Sequence, residues 1–137
     1  MGCATFGPQY ASARKDIVPL SKEKGRIVIY RPSGFYGGGM RPDIHLNGNK
    51  VGISRPGTIF YVDVNPGKYQ VSIPTVLYPG EQTVDITISE NETAYIKNYM
   101  GGSAIGGRTN IEVVKTEQAI TEIDELEFMI EPHCCPK

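Results

Sequence analysis

An excess of either charge is missing from this sequence: fourteen Lys and Arg face fifteen Asp and Glu, for a formal net charge of -1. The electrostatic footprint of a nucleic-acid binder is therefore absent, and no such partner is expected. No apolar run approaches the ~18 residues that a membrane-spanning helix requires. Tryptophan is absent, and hydrophobic residues make up only 39% of the chain. Histidines number two, His45 and His133, and cysteines three. The chain also lacks a G-x-S-x-G elbow, an H-E-x-x-H pair and a C-x-x-C pair, so hydrolase, zinc-protease and thioredoxin-like chemistry lack their minimum parts. No catalytic residue, cofactor or metal site is assigned.

Glycine and proline, by contrast, are plentiful, with 16 Gly and 10 Pro in 137 residues. Such a profile suits short strands joined by many turns, and the length suits one domain with one core. From Gly25 onward short alternating runs recur: Arg26 to Arg31, Asp43 to Leu46, Lys50 to Ser54, Thr58 to Val64, Lys68 to Ile73, Gln82 to Ile88, Thr93 to Met100 and Asn110 to Lys115. Their spacing is that of a sandwich or barrel. Tyr69, Val71 and Ile73 share one side of their run, and Val84, Ile86 and Ile88 one side of theirs, which marks a buried face in each. Thr58 to Val64 is apolar on both sides, as in a central strand. Asn47-Gly48 and Asn65-Pro66-Gly67 carry hairpin chemistry, the second predicting positive φ at Gly67.

After the last run, Thr116 is expected to cap a short helix whose Ala119, Ile120, Ile123 and Leu126 form one apolar face, with Phe128 and Ile130 in a final extended segment. The fold class expected is all-β, an antiparallel β-sandwich of about eight short strands with one short C-terminal helix. The chain divides into 1–24, a flexible tether with a lipid-anchor site; 25–130, the sandwich; and 131–137, a tail. Residues 4–24 have no periodic apolar face.

Several motifs have plainer readings. Gly102 to Thr109 imitates a phosphate loop with Arg108 in place of Lys, but β-branched residues follow it where a helix is required, so an interstrand loop is expected. His45 lies opposite Ile44 and Leu46 in a strand pattern, as a surface histidine would. His133, Cys134 and Cys135 are consecutive, whereas tetrahedral metal sites use spaced ligands. Met1-Gly2-Cys3 could open an acylated protein, but that signal wants Ser or Thr where Phe6 stands. Gly2-Cys3-Ala4 fits better the end of a bacterial lipoprotein signal, in which a small residue precedes the cysteine that receives lipid.

The succession Tyr30-Arg31-Pro32, Pro42-Asp43, Leu46 to Gly52, Val62 to Lys68 and Tyr95-Ile96-Lys97 resembles a family of bacterial envelope lipoproteins whose domain has no assigned function. More remotely it is similar to PEGA-type surface modules. The resemblance covers about residues 25–127 and departs at Asn47, where the family often has Asp, and at the His-Cys-Cys tail. It implies an exported β-sandwich anchored by lipid on Cys3, and it brings no catalytic residues. The function expected is that of a non-enzymatic envelope protein bound to a membrane through Cys3, facing the periplasm or the cell surface, and binding another envelope or surface component. A carbohydrate- or peptide-binding module is the alternative.

Strand parity locates the binding end. If successive strands alternate in direction, Asn47 to Asn49, Asn65 to Gly67 and Ser89 to Glu92 gather at one end, while Pro32 to Pro42, Arg55 to Gly57, Pro74 to Gly80 and Gly101 to Arg108 gather at the other. Arg31, Phe35, Tyr36, Met40, Arg41, Arg55, Tyr78 and Arg108 are accordingly the candidate binding surface, of the composition found in interface hot spots.

Overall fold

The computed structural model describes residues 17, 19–32, 41–74, 82–101 and 108–128, with the backbone alone for residues 100, 101, 108 and 109. Among the described residues nine strands and one helix follow in the order β1 (Gly25–Arg31), β2 (Asp43–Leu46), β3 (Asn49–Ile53), β4 (Thr58–Val64), β5 (Gly67–Ile73), β6 (Gln82–Ile88), β7 (Thr93–Gly101), β8 (Arg108–Val114), α1 (Thr116–Ile123) and β9 (Glu127–Phe128). They form two sheets, ordered β8-β7-β1-β4-β9 and β3-β2-β5-β6. The all-β sandwich with a C-terminal helix read from the sequence is the fold observed. Two neighbour pairs are parallel rather than antiparallel, β1 with β7 and β4 with β9.

β-Branched residues dominate these strands because their branched side chains pack on a pleated, half-buried surface. Ile27, Ile29, Phe60 and Ile96 from the larger sheet meet Ile44, Leu46, Val71, Ile73, Ile86 and Ile88 from the smaller one to form the main core. Each such side chain taken fully out of water stabilises the fold by roughly 1.5–3 kcal/mol. The opposite face of the larger sheet is apolar too: Val28, Tyr30, Ile59 and Val114 pack against Ala119, Ile123 and Leu126, the last three from α1 and the segment after it. Two apolar faces on one sheet require two covers, and the smaller sheet and α1 supply them.

The helix begins one residue earlier than expected. Lys115 occupies the N-cap with an extended backbone and makes no side-chain cap, and Thr116 is the first helical residue. Ile120 is 50% exposed, outside the apolar face assigned to it, because an eight-residue helix buries only the stripe that carries Ala119 and Ile123. Phe128 pairs alongside Ile59, and its ring stacks on Tyr61 at 5.8 Å. Ile130 lies outside the described residues.

Of the two expected hairpins, one forms. Asn47 and Gly48 take φ of 50° and 85° between the paired strands β2 and β3. Asn65-Pro66, by contrast, carries the chain from β4 in one sheet to β5 in the other, so it is a corner between sheets. Gly67 has the positive φ expected, at 156°. The chain changes sheet four times, at β1–β2, β3–β4, β4–β5 and β6–β7, which interlocks the two layers.

Candidate functional site

Backbone hydrogen bonds identify the two ends of the sandwich. At one, Lys24 accepts from the Asn91 N–H and the Arg26 N–H donates to Glu92, both at 2.8 Å. The Lys24 ammonium also donates to Asn65 Oδ1 at 2.6 Å. The start of β1, the β4–β5 corner and the β6–β7 turn therefore meet. Lys24, expected to belong to a flexible tether, is held here against the sandwich.

At the other end the Gly57 N–H donates to the carbonyl of Arg31 and the Ser54 N–H to that of Pro42, again at 2.8 Å. Ile73 pairs with Gln82 and Gly101 with Arg108, so the connections after β5 and after β7 leave from strand ends aligned with these. The strand ends that bracket all four long connections thus share one end, as parity required.

A chain of buried polar groups ties that end together. The Arg31 side chain, only 3% exposed, donates to the Ser54 carbonyl at 3.1 Å. Ser54 Oγ donates to Asn98 Oδ1, and Asn98 Nδ2 donates to the Asn110 carbonyl at 2.8 Å. Asn98 is 0% exposed. Polar groups removed from water cost free energy unless bonded, and here each finds a partner on a different strand or strand end. Sequence reasoning missed this chain, because single Ser and Asn residues carry no spacing signature.

The candidate surface residues divide accordingly. Arg31 is buried, so it braces the end instead of presenting a surface; burial, and then the nearby Arg41 charge, push its pKa down. Arg41 is exposed and Arg55 half-buried. The Arg55 Nε is itself buried and has no acceptor among the described residues. Phe35, Tyr36, Met40 and Tyr78 lie outside the described residues, as do Cys3, His133, Cys134 and Cys135. Arg108 opens β8, and its side chain is likewise outside. His45 sits opposite Ile44 and Leu46 in β2, paired with Ser72 and Lys50.

Two further polar features were not foreseen. Under α1, the Tyr30 hydroxyl donates to Glu122 Oε1 at 2.6 Å and the Lys97 ammonium to Glu122 Oε2 at 2.9 Å. Burial, then the Glu122 carboxylate, raise the Tyr30 pKa far above that of a free phenol. Burial alone would raise Glu122, but the bonds from Tyr30 and Lys97 outweigh it and hold the carboxyl below its ordinary range. The triangle joins helix to sheet across 92 residues of sequence, too far for any local pattern to signal. On the smaller sheet, an open groove of about 390 Å³ is lined by Asn47, Lys68, Tyr69, Gln70, Asp85, Ile86 and Thr87. Among the described residues no three His, Cys, Asp or Glu side chains converge as metal ligands would.

Known sequences resemble this one. An uncharacterized protein of Haemophilus influenzae is 25% identical over 112 residues, which are 80% of this chain. The chain spans 65% of that protein's length. Residues 21–114, from just before β1 through the end of β8, match the model of DUF2846, so the chain belongs to this family of proteins of unknown function.

Proposed function

We propose that this protein is a non-enzymatic, lipid-anchored module of the bacterial cell envelope that binds another envelope or surface component through the end where its long connections begin. The observation that carries this reading is the sorting of strand ends. The strand ends that bracket 33–40, 75–81 and 102–107 lie together, opposite the end where Lys24 leads into β1. Lipid on Cys3 would tether the chain upstream of Lys24, which turns the long-connection end away from the membrane. Residues 4–24, fully extended, would reach roughly 70 Å at ~3.3 Å per residue. Binding loops of other sandwiches cluster at one end in the same way. The lipoprotein layout and the likeness to PEGA-type modules belong to this proposal.

Metabolic labelling of the full-length precursor with a radioactive fatty acid tests the anchor. Label that survives Cys3→Ser contradicts it. Partner capture tests the binding end: loss in a Tyr36→Ala/Arg41→Ala double variant is expected, and unchanged capture contradicts it. The alternative, a carbohydrate- or peptide-binding module, draws support from the groove on the smaller sheet. Its Asn47, Gln70, Asp85 and Thr87 are the amide, carboxylate and hydroxyl groups that hydrogen-bond sugars and peptides. Binding abolished by Asp85→Ala and indifferent to the Arg41 substitution would favour it.

A further inference from the structure

The smaller sheet ends on an open edge at β6. Register shows which of its backbone groups are free. The Gln70 N–H donates to Asn47 Oδ1 and the Gln70 carbonyl accepts from the Asn47 N–H, both at 2.8 Å, so Gln70 turns its backbone groups toward β2. Along a strand these groups point alternately to either side. Gln70 pairs with Asp85 in a ladder that runs without a shift from Gly67–Ile88 to Ile73–Gln82. The N–H and C=O groups of Thr83, Asp85 and Thr87 therefore face outward, away from β5. Two other edges are blunted: β9 has two residues, and β3 has five, carries Lys50 and lies across from a register shift. Short length, lysine and irregular register are devices that keep an edge from pairing. β8 is as long as β6 and also ends its sheet, but it is β6 that borders the groove, through Asp85 and Thr87. The Asp85 carboxylate meets Gln70 Nε2 at 3.4 Å and no cation among the described residues.

We infer that the β6 edge takes up an extended peptide segment of a partner protein as a further strand of the smaller sheet, one that alternates basic and apolar residues and sets a cation against Asp85. The inference rests on the peptide-binding reading of the groove and deepens it. An added strand satisfies the outward N–H and C=O groups, and its side chains alternate between the two faces of the sheet. On the outer face they lie beside Thr83, Asp85 and Thr87, all three exposed. Lys68 stands on the β5 side of Asp85, so a strand added outside β6 meets the carboxylate before the ammonium. On the inner face the seam with β8 is apolar. Val84 and Ile111 are half-buried against the main core, and Val113, which shares a face with its partner Ile96, is 48% exposed. β8 runs close to β6, although no ladder joins the two edges. A second copy of this chain is the poorer occupant. Antiparallel pairing of two β6 strands through all three outward residues sets Asp85 directly against Asp85, and like charges so placed destabilise a sheet.

The test uses the full chain and capped peptides of about eight residues, the span of one strand, that alternate valine with lysine or valine with glutamate. Amide hydrogen exchange followed by NMR reads the edge residue by residue. In the free protein the Thr83, Asp85 and Thr87 amides should exchange faster than those of Val84 and Ile86, and the lysine peptide should slow them. The glutamate peptide should bind about fivefold more weakly, and Asp85→Asn should remove most of that preference. Thr87→Pro, which deletes one outward N–H and leaves the bonds to β5, should weaken binding about three- to tenfold, whereas Thr87→Ala should not. Should the proline variant fold poorly, methylating alternate backbone nitrogens of the lysine peptide asks the same question of the wild type, and loss of binding is expected. Edge amides that a saturating lysine peptide fails to slow, or equal binding of the two peptides, overturn the inference. Protection of these amides that rises with protein concentration alone also overturns it, by assigning the edge to a second copy. Binding that depends on Asp85 but survives backbone methylation removes the added strand and leaves the peptide-binding groove standing. If neutral dextran occupies the groove and neither peptide binds, the inference and the peptide reading fall together.

Discussion

Replacing Gly52 by alanine tests how the two sheets meet. Gly52 lies in β3, and a Cβ added to it would fall 2.6 Å from Cζ and 2.8 Å from Cε2 of Phe60 in β4 of the other sheet. Ordinary carbon contacts begin at about 3.4 Å, so the ring must retreat by roughly 1 Å into a close-packed interior. Phe60 belongs to the same buried cluster as Ile27, Ile29 and Ile44, which restricts where it can go. Overpacking of this kind costs about 1–3 kcal/mol, and alanine returns about 0.4–1 kcal/mol by restricting the unfolded chain. The net loss expected is about 1–2 kcal/mol, or a fall in Tm of roughly 3–9 °C for a domain of this size. Urea and thermal unfolding followed by circular dichroism measure it. A double variant with Phe60→Leu separates the contact from a general intolerance of Gly52: the two costs should fall short of additivity by about 1 kcal/mol. Gly52→Ala as stable as the wild type, or strict additivity with Phe60→Leu, would refute the facing of β3 and β4.

Three further substitutions, at Glu122, Tyr30 and Gly67, have outcomes that the structure sets. Because Glu122 is held below the ordinary carboxylate range, its contribution is complete above the carboxyl pKa of the unfolded chain and is lost as pH falls through the lower folded value; Glu122→Gln should flatten acid unfolding, and an unchanged acid limb would count against the triangle. Tyr30 has the opposite sign, its contribution complete below the ordinary phenol pKa and lost as pH rises above it, so Tyr30→Phe should remove an alkaline loss of stability seen in the wild type. Gly67→Val should cost roughly 1–2 kcal/mol, from φ alone, since a Cβ there meets nothing nearer than 3.9 Å; a variant melting like the wild type would contradict the strain.

Strands were legible in the sequence because period-two alternation is local: Val84, Ile86 and Ile88 reveal their buried side without reference to any partner strand. Partners were less legible. Asn65-Pro66-Gly67 fixes a reversal, but turn chemistry is the same whether the chain returns along its neighbour or crosses to another sheet. The second apolar face of β4 was visible in Ile59 and Tyr61, while its cover, α1 and Phe128, depends on contacts distant in sequence. Arg31 carried the same cue as Arg41, a cation at a strand end, and only burial separates them. Parity needed only strand count and order, which explains why the shared end of the long connections could be read in advance.

Site-directed photo-crosslinking in cells compares the two ends directly. A photoreactive residue at Arg41 reports on the long-connection end, and one at exposed Glu90 on the end joined to Lys24. Both are to be placed in the full-length protein expressed in cells. A specific adduct from position 41 with none from position 90 is expected. An adduct from position 90 with none from position 41 would contradict the assignment of the binding end.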